Sequence, residues 1–423
     1  MSGICFPVGV GRGVVSGIIS PPPVIPIRTI ATQNNVPVNR DSQSGRTAQA
    51  FRQKYILGAD ARELFVNLNN WYMAATGQVI DPALLPDLTF VDMSIQTGAA
   101  ITPLYFGGGR SVTVSGGTGD VLSDALLPSM LGKAQFSRGE EYFIKGRIVT
   151  AAAHMPYCGN TVGDVSGQQC SWYDPAVTIP SSTDAAGTFT FSGTAPVSRA
   201  SGYRLILLGR PLVDGPSFVG LGDSIMESAS DGASSGQHGR GFFQRAMRDA
   251  SGNAVYPGLN LAKTGAGVLT GQSKLIALYK YARFAVDEPG TNDIGVNGTG
   301  DTANTQSKHL TAWAEMKAAG IEGIVRTTLI PRTGGSYSSV SGQTINANWG
   351  AGGKGAAMND WYEARLADGT ITRLCRMNGI RGGASGDDFW KFIAGGTSDG
   401  THPLPIGHEA MAVDLRAVLA TLV

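Results

Sequence analysis

Residues 217–225 read Ser217-Phe218-Val219-Gly220-Leu221-Gly222-Asp223-Ser224-Ile225. A short apolar run ends in a turn of small and polar residues. The pattern predicts a buried strand that delivers the Ser224 hydroxyl to the rim of a sheet. From this point to residue 423, strand-like and helix-like stretches alternate. Further strands are expected near Leu259, at Phe284–Asp287, at Ile324–Ile330 before Pro331, and at Ile371–Arg376. Helices are expected over Gly241–Ala250, Gly267–Lys280, Met358–Ala367 and His408–Leu422. Another is expected to run from an Asp301 cap to Ala319 and stop at Gly320, with Leu310, Trp313 and Met316 on one face and His309 solvated on the other. The final helix keeps Met411, Leu415, Val418, Leu419 and Leu422 on one side. Strand–helix alternation of this length predicts a parallel sheet covered on both faces, with sites at the carboxyl ends of its strands.

The chain has 423 residues, which suits two domains and a tail. Only 15% of residues are charged, and the 59 glycines are about twice the usual share of 7%. Such a composition predicts many turns and short strands, and points to an extracellular or particle-borne protein. A net charge of +1 leaves no electrostatic footprint for nucleic acid. No apolar run is long enough to span a membrane. The first residues are apolar but lack a basic leading segment and are broken by Pro7 and Arg12, so no clear signal peptide is read. The cysteines Cys5, Cys158, Cys170 and Cys375 form no C-x-x-C pair, so no zinc or redox site is expected, and the serine chemistry read below needs neither a metal nor an organic cofactor. Cys158 and Cys170 are read either as a local disulfide or as two thiols, and Cys375 as a buried filler.

Residues 1–50 are rich in proline and polar residues and have no core of their own. They are expected to be an extended tail that self-associates or docks on a larger assembly. Residues 51–214 are expected to form a β-sandwich of jelly-roll type. Its strands are read at Phe90–Ile95, Ser111–Val114, Glu141–Val149, Thr188–Phe191 and Tyr203–Leu208, with one helix around Asp60–Asn70. Residues 215–423 form the third unit.

Of the five histidines, His402 has the best company. Asp399 lies three residues earlier in a Gly-Thr loop just ahead of the last helix. In a turn that spacing lets a carboxylate reach the imidazole Nδ1, leaving Nε2 for a serine from another loop. A serine hydroxyl needs such a base, and the base needs such an orienting acid. His238, in the Gly/Ser-rich loop after Ser224, and the aromatic residues Tyr337 and Trp349, among the hydroxyls and amides of residues 332–350, are candidates for touching substrate. His154 is read without a site role and His408 as a packing and capping residue.

Gly222-Asp223-Ser224, Asn260 to Gly267, Gly290-Thr291-Asn292-Asp293 and Asp399 to Pro403 together resemble the four blocks of the SGNH hydrolases, also called the GDSL esterase/lipase family. The first block has Ile225 where the family name has leucine. The resemblance spans residues 215–423 and implies a three-layer, flavodoxin-like α/β fold. It implies that Ser224, His402 and Asp399 act as nucleophile, base and acid. It further implies an oxyanion hole made by the Ser224 N–H, the Gly265 N–H (or that of Gly267 if the loop shifts) and the Asn292 amide, with Asp293 bracing its loop and Asp223 its own. The expected activity is serine-esterase hydrolysis of an O-acylated glycan, above all an O-acetylated one, in the setting of a virion tail or spike. The alternatives are a receptor-binding particle protein with weak hydrolysis, and a lipase or phospholipase.

Overall fold

A computed structural model describes residues 25–36, 39–41, 46–73, 85–152, 155–157, 169–173, 183–190, 197–198, 202–231 and 240–422. The second half is built on a sheet of six strands, all parallel. Their spatial order is Asn34–Asn35, Gly258–Asn260, Phe218–Leu221, Phe284–Asp287, Gly323–Thr327, Arg373–Cys375. Leaving aside the edge strand from the N-terminal region, the order in chain sequence is 2-1-3-4-5, that of a flavodoxin-like sheet.

The strands are apolar on both faces because both faces are covered. Val219, Leu221, Ala285, Ile324 and Leu374 join one core with residues of the helices Gln272–Tyr279, Thr302–Ala318 and Lys354–Ala367. Phe218, Val286, Val325 and Cys375 join the opposite core with the helices Gly241–Ala246 and Pro405–Leu419. Period-two alternation therefore assigns each strand residue to a layer. The third, fourth and fifth sequence-predicted strands are found, and both early helices are shorter than expected. Asp301 caps its helix, accepting from the Ala303 and Asn304 amides. The buried stripe of that helix, however, is Thr305, His309, Ala312, Trp313 and Met316, whereas Leu310 is 43% exposed. The stripe is turned from the one predicted because His309 has buried polar partners that sequence spacing does not reveal.

The first half makes two antiparallel sheets that share one core. One comprises Arg28–Thr29, Ile206–Pro211, Ala61–Leu68 and Val121–Leu122. The other orders Val197–Ser198, Gln169–Tyr173, Ala48–Ile56, Glu141–Thr150, Leu88–Thr97 and Ala100–Pro103, with Ser111–Val114 also on Leu88–Thr97. The helix expected around Asp60–Asn70 is a strand, Ala61–Leu68. Its Leu64, Val66 and Leu68 face the antiparallel core, while Phe65 faces the core under the parallel sheet. Burial on both sides erases the alternation that marks a half-buried strand. Leu205 and Leu207 divide from Ile206 and Leu208 in the same way, so this sheet is packed on both faces. Thr188–Thr190 are not a strand, and Phe191 lies outside the described residues, as do Cys5, His154, Cys158 and His238.

The boundaries read from sequence also change. Residue 50 falls inside the Ala48–Ile56 strand. Within the expected tail, Thr29, Ile30, Ala31, Asn34 and Val36 are all fully buried against the chain's own sheets. Asn34 joins the two halves. Its backbone pairs with Leu259 in the parallel sheet, and its side-chain oxygen accepts the Leu207 N–H at 2.7 Å. Its Nδ2 donates to the Leu207 carbonyl and to Thr29 Oγ1, each at 2.7 Å. Residues 1–24, on which the assembly expectation now rests, lie outside the described residues. Asn34→Ala leaves the buried Leu207 N–H without this acceptor, and we expect a loss of about 1–3 kcal/mol or more. A lowered urea midpoint with an unchanged slope would report it, and an unchanged midpoint would contradict the joining role.

Candidate active site

Four loops meet at the carboxyl rim of the parallel sheet. The first leaves Phe218–Leu221. A Cβ on Gly222 would lie 2.3 Å from Met226 Cβ and 2.9 Å from Glu288 Oε2, so only glycine fits there. Asp223, wholly buried, accepts the Ile225 N–H at 2.8 Å and so shapes the turn that carries Ser224. Its own N–H donates to Glu288 Oε2 at 2.9 Å. Burial pushes both carboxyls up, and for Glu288 the Asp223 charge adds to it. Asp223 is thus a brace of the turn. The Ser224 carbonyl accepts from Ala229, and the Ser224 N–H has no acceptor among the described residues.

The second loop continues the parallel pairing beyond the strand, with Leu261 N–H donating to Gly220 O at 2.8 Å and Lys263 N–H to Gly222 O at 3.0 Å. Gly265 therefore departs from the sheet beside Ser224. Around it the amides are committed. The Thr264 N–H and hydroxyl both donate to Glu227 Oε2. Ala266 donates to Lys263 O, Gly267 to Thr270 Oγ1 and Val268 to Asp293 Oδ2. Of the amides from Lys263 to Val268, only that of Gly265 has no acceptor among the described residues, and its φ of +79° suits glycine. Of the two glycines left open by sequence, Gly267 thus has its amide engaged and Gly265 does not. Glu227 was missed there. It reads as a loop carboxylate but is fully buried, 37 residues from the Thr264 it holds.

The third loop follows Phe284–Asp287. Asn292 Nδ2 donates to Ala266 O at 2.9 Å and lies 3.3 Å from Asp223 Oδ2, so one side chain touches the first two loops. Asp293 accepts from Val268 at 3.0 Å and pairs with Lys308 Nζ at 2.7 Å. Behind the loop lies a buried cluster. Asp287 Oδ2 accepts from Trp313 Nε1 at 2.8 Å, and Arg326 Nη1 and His309 Nδ1 each lie 3.2 Å from it. The Tyr362 hydroxyl bridges Arg326 Nη2 at 2.8 Å and His309 Nε2 at 2.9 Å. A Cβ on Gly290 would come within 3.1 Å of that hydroxyl, so the cluster is the floor on which the loop rests. Burial acts against the Asp287 charge, but Arg326, His309 and Trp313 outweigh it and hold the carboxyl low. His309 is thus buried, not solvated, and burial with Arg326 nearby lowers its affinity for a proton.

The fourth loop brings Asp399 and His402. Asp399 Oδ2 lies 2.7 Å from His402 Nδ1, and Oδ1 accepts the His402 and Thr401 amides at 2.8 and 2.9 Å. Burial opposes ionisation of Asp399, yet these hydrogen bonds outweigh it and keep its carboxyl below the usual range. An ionised carboxylate only accepts, so Nδ1 carries the proton and Nε2 is an acceptor. Ser224 Oγ lies 2.8 Å from that Nε2. The structure therefore brings Ser224, His402 and Asp399 into one hydrogen-bonded line, with Asn292 tied to the neighbouring loops. A hydroxyl, a base aimed at it and unspent amide donors are the parts acyl transfer requires.

The substrate-contact candidates fare differently. Tyr337 is half-buried and donates to Thr333 O at 3.3 Å. Trp349 is fully buried, with Nε1 donating to Gly295 O at 3.1 Å, so its ring packs inside the protein. Cys375 is buried with its thiol 3.8 Å from Met377 Sδ, and burial pushes that thiol up to about 12. Among the described residues no group of three or more His, Cys, Asp or Glu could hold a metal, and no helix is long and apolar enough to cross a membrane.

No protein-family model matches the chain, and no curated protein matches it. Solved structures do. A putative acylhydrolase from Bacteroides fragilis is 20% identical, with 49% of this chain and 88% of that one covered and a TM-score of 0.34. A GDSL-like lipase from Bacteroides thetaiotaomicron is 17% identical over 50% and 91%, at 0.32. The aryl esterase of M. smegmatis is 14% identical over 49% and 100%, at 0.34. Over about half its length the chain is thus similar to hydrolases of the GDSL, or SGNH, kind.

His408 docks the last helix on the serine turn, its Nε2 3.3 Å from the Ala229 carbonyl, and burial lowers its pKa to about 4. His309 is lowered too. For both, the unfolded chain takes up its proton first, near pH 6.5. Their contribution is therefore complete above about pH 6.5 and declines as pH falls below it, for His408 down to about 4, by about 1.4 kcal/mol per pH unit for each proton. The raised carboxyls of Asp223, Glu227 and Glu288 act in the opposite sense, so the histidine effect is read as a difference: in urea unfolding between pH 7 and 4.5, His408→Gln is expected to lose less stability than the wild type as pH falls. An equal slope in the variant would exclude His408 as a source.

Proposed function

We propose that this protein is a serine esterase of the SGNH kind. The observation that carries the proposal is the 2.8 Å approach of Ser224 Oγ to His402 Nε2, with Nδ1 held by Asp399. Ser224 attacks the ester carbonyl while His402 takes the hydroxyl proton. Asp399 keeps the imidazole in the required tautomer and stabilises its cationic form. The developing oxyanion is met by the Ser224 and Gly265 amides and by Asn292. The 2.9 Å bond to Ala266 anchors the Asn292 amide, and its longer contact, to Asp223, is the one that gives way. His402 returns its proton to the leaving alcohol, and water resolves the acyl-enzyme by the same route.

The substrate class we favour is an O-acetylated glycan. Support comes from the segment 332–350, whose Ser, Thr, Asn and Gln side chains and half-buried Tyr337 lie next to the Asp399 loop, since Thr333 N–H donates to Gly400 O at 3.0 Å. The two antiparallel sheets then serve as an accessory sandwich. The low charge density and residues 1–24 are the grounds for placing the enzyme on an extracellular particle.

Ser224→Ala should reduce hydrolysis of 4-nitrophenyl acetate to the solution background. Asn292→Ala should lower kcat by about 10²–10³ with little change in KM. Turnover retained by Ser224→Ala would overturn the esterase reading. Faster cleavage of long-chain than of acetyl esters would replace the glycan by a lipid.

A further inference from the structure

Arg332 is 2% exposed, and its Nε and Nη1 are buried with no hydrogen-bond partner among the described residues. An arginine carries five N–H donors and stays charged, so a guanidinium with two of its three nitrogens buried and unpaired is costly. The chain offers it charge but no pairing. Asp223, Glu288 and Asp399 all act on it, yet none makes an ion pair with it among the described residues. Each of the three is already engaged, Asp223 with the Ile225 amide, Glu288 with the Asp223 amide, and Asp399 with His402 and Thr401.

Its place is fixed from both sides. The Arg332 carbonyl accepts the Asn346 N–H at 2.9 Å, and the next residue, Thr333, donates to Gly400, one position after Asp399. The guanidinium carbon lies 5.8 Å from the centre of the Trp349 ring, which is itself held by the bond to Gly295. Trp349 is thus a shelf under a cation, and the cation is near enough to Asp223 and Asp399, of the loops that carry Ser224 and His402, for their charges to act on it.

We propose that Arg332 is a specificity-determining residue that receives a carboxylate of the substrate, so that the preferred ester is one borne by an acidic sugar. This rests on the esterase reading of the same site. Planar, forked donors match a carboxylate in two parallel hydrogen bonds, a geometry lysine does not reproduce. The burial that strips Arg332 of water strengthens such a pair. Burial also disfavours the charged forms of Asp223 and Glu288, so the site is less hostile to an incoming anion than its count of carboxyls suggests.

The test compares acetate release from an O-acetylated hexuronic acid and from its methyl ester, which differ in the carboxylate charge. The wild-type protein is expected to favour the acid in kcat/KM by about tenfold or more. Arg332→Gln should bring that ratio near one, and Arg332→Lys should keep only part of it. A wild-type ratio of one or below, or a ratio unchanged by Arg332→Gln, overturns the proposal, and the wild-type ratio decides even if the variants fail to fold. Calorimetry with the free hexuronic acid gives a readout independent of turnover. Binding to Ser224→Ala that weakens about tenfold in the Ser224→Ala, Arg332→Gln double variant supports the carboxylate site. Equal affinity in the two counts against it. If 4-nitrophenyl acetate is not cleaved while the acid still binds through Arg332, the esterase reading alone fails.

Discussion

The site depends on how the Phe218–Leu221 strand is paired. It lies between Gly258–Asn260 and Phe284–Asp287, parallel to both, so three successive strand ends open on the same rim. The hydrogen bonds from Leu261 to Gly220 and from Lys263 to Gly222 carry that pairing past the strand and into the loops. A backbone amide and a side-chain hydroxyl that start about forty residues apart in sequence thereby leave the sheet side by side. Strand 1 of a 2-1-3-4-5 sheet is where the winding direction reverses, which is why the crevice is there.

Around that frame the polar groups fall into two kinds. Asp223, Glu227, Asp293 and the Asp287–Arg326–His309–Tyr362 cluster are spent on holding loops. The Ser224 and Gly265 amides are not, and Arg332 is not. A folded chain normally satisfies its buried donors internally. Under the proposed reading, the two neutral amides meet a small oxyanion and the guanidinium meets a permanent negative charge on the substrate.

Much of this was legible in the sequence. Phe218–Leu221 and Phe284–Asp287 announce themselves as apolar runs closed by turn residues, and Asp301 marks its helix by capping chemistry. Asp399 and His402 could be paired because their contact is local. What spacing could not convey was long-range. The strand at Ala61–Leu68 is buried on both faces, so its pattern resembles no half-exposed element. His309 is buried by partners on other elements, and Trp349 turns inward to meet Gly295. Glu227, Glu288 and Arg332 look like surface charges until the fold closes over them.

The edge strand Asn34–Asn35 has a bearing on how the chain can be divided. It completes a sheet whose remaining strands begin more than 180 residues later, and on its way the chain also pairs Arg28–Thr29 with the Ile206–Pro211 strand. During synthesis Asn34 and Asn35 find their partners in the parallel sheet only after residue 258 has appeared. A fragment starting at residue 215 would present the Gly258–Asn260 strand as a bare, unpaired border, a known invitation to self-adhesion. The lobe that bears the serine is thus finished by the opening of the same polypeptide, and proteolysis between residues 36 and 46 would sever a seam rather than release a tail.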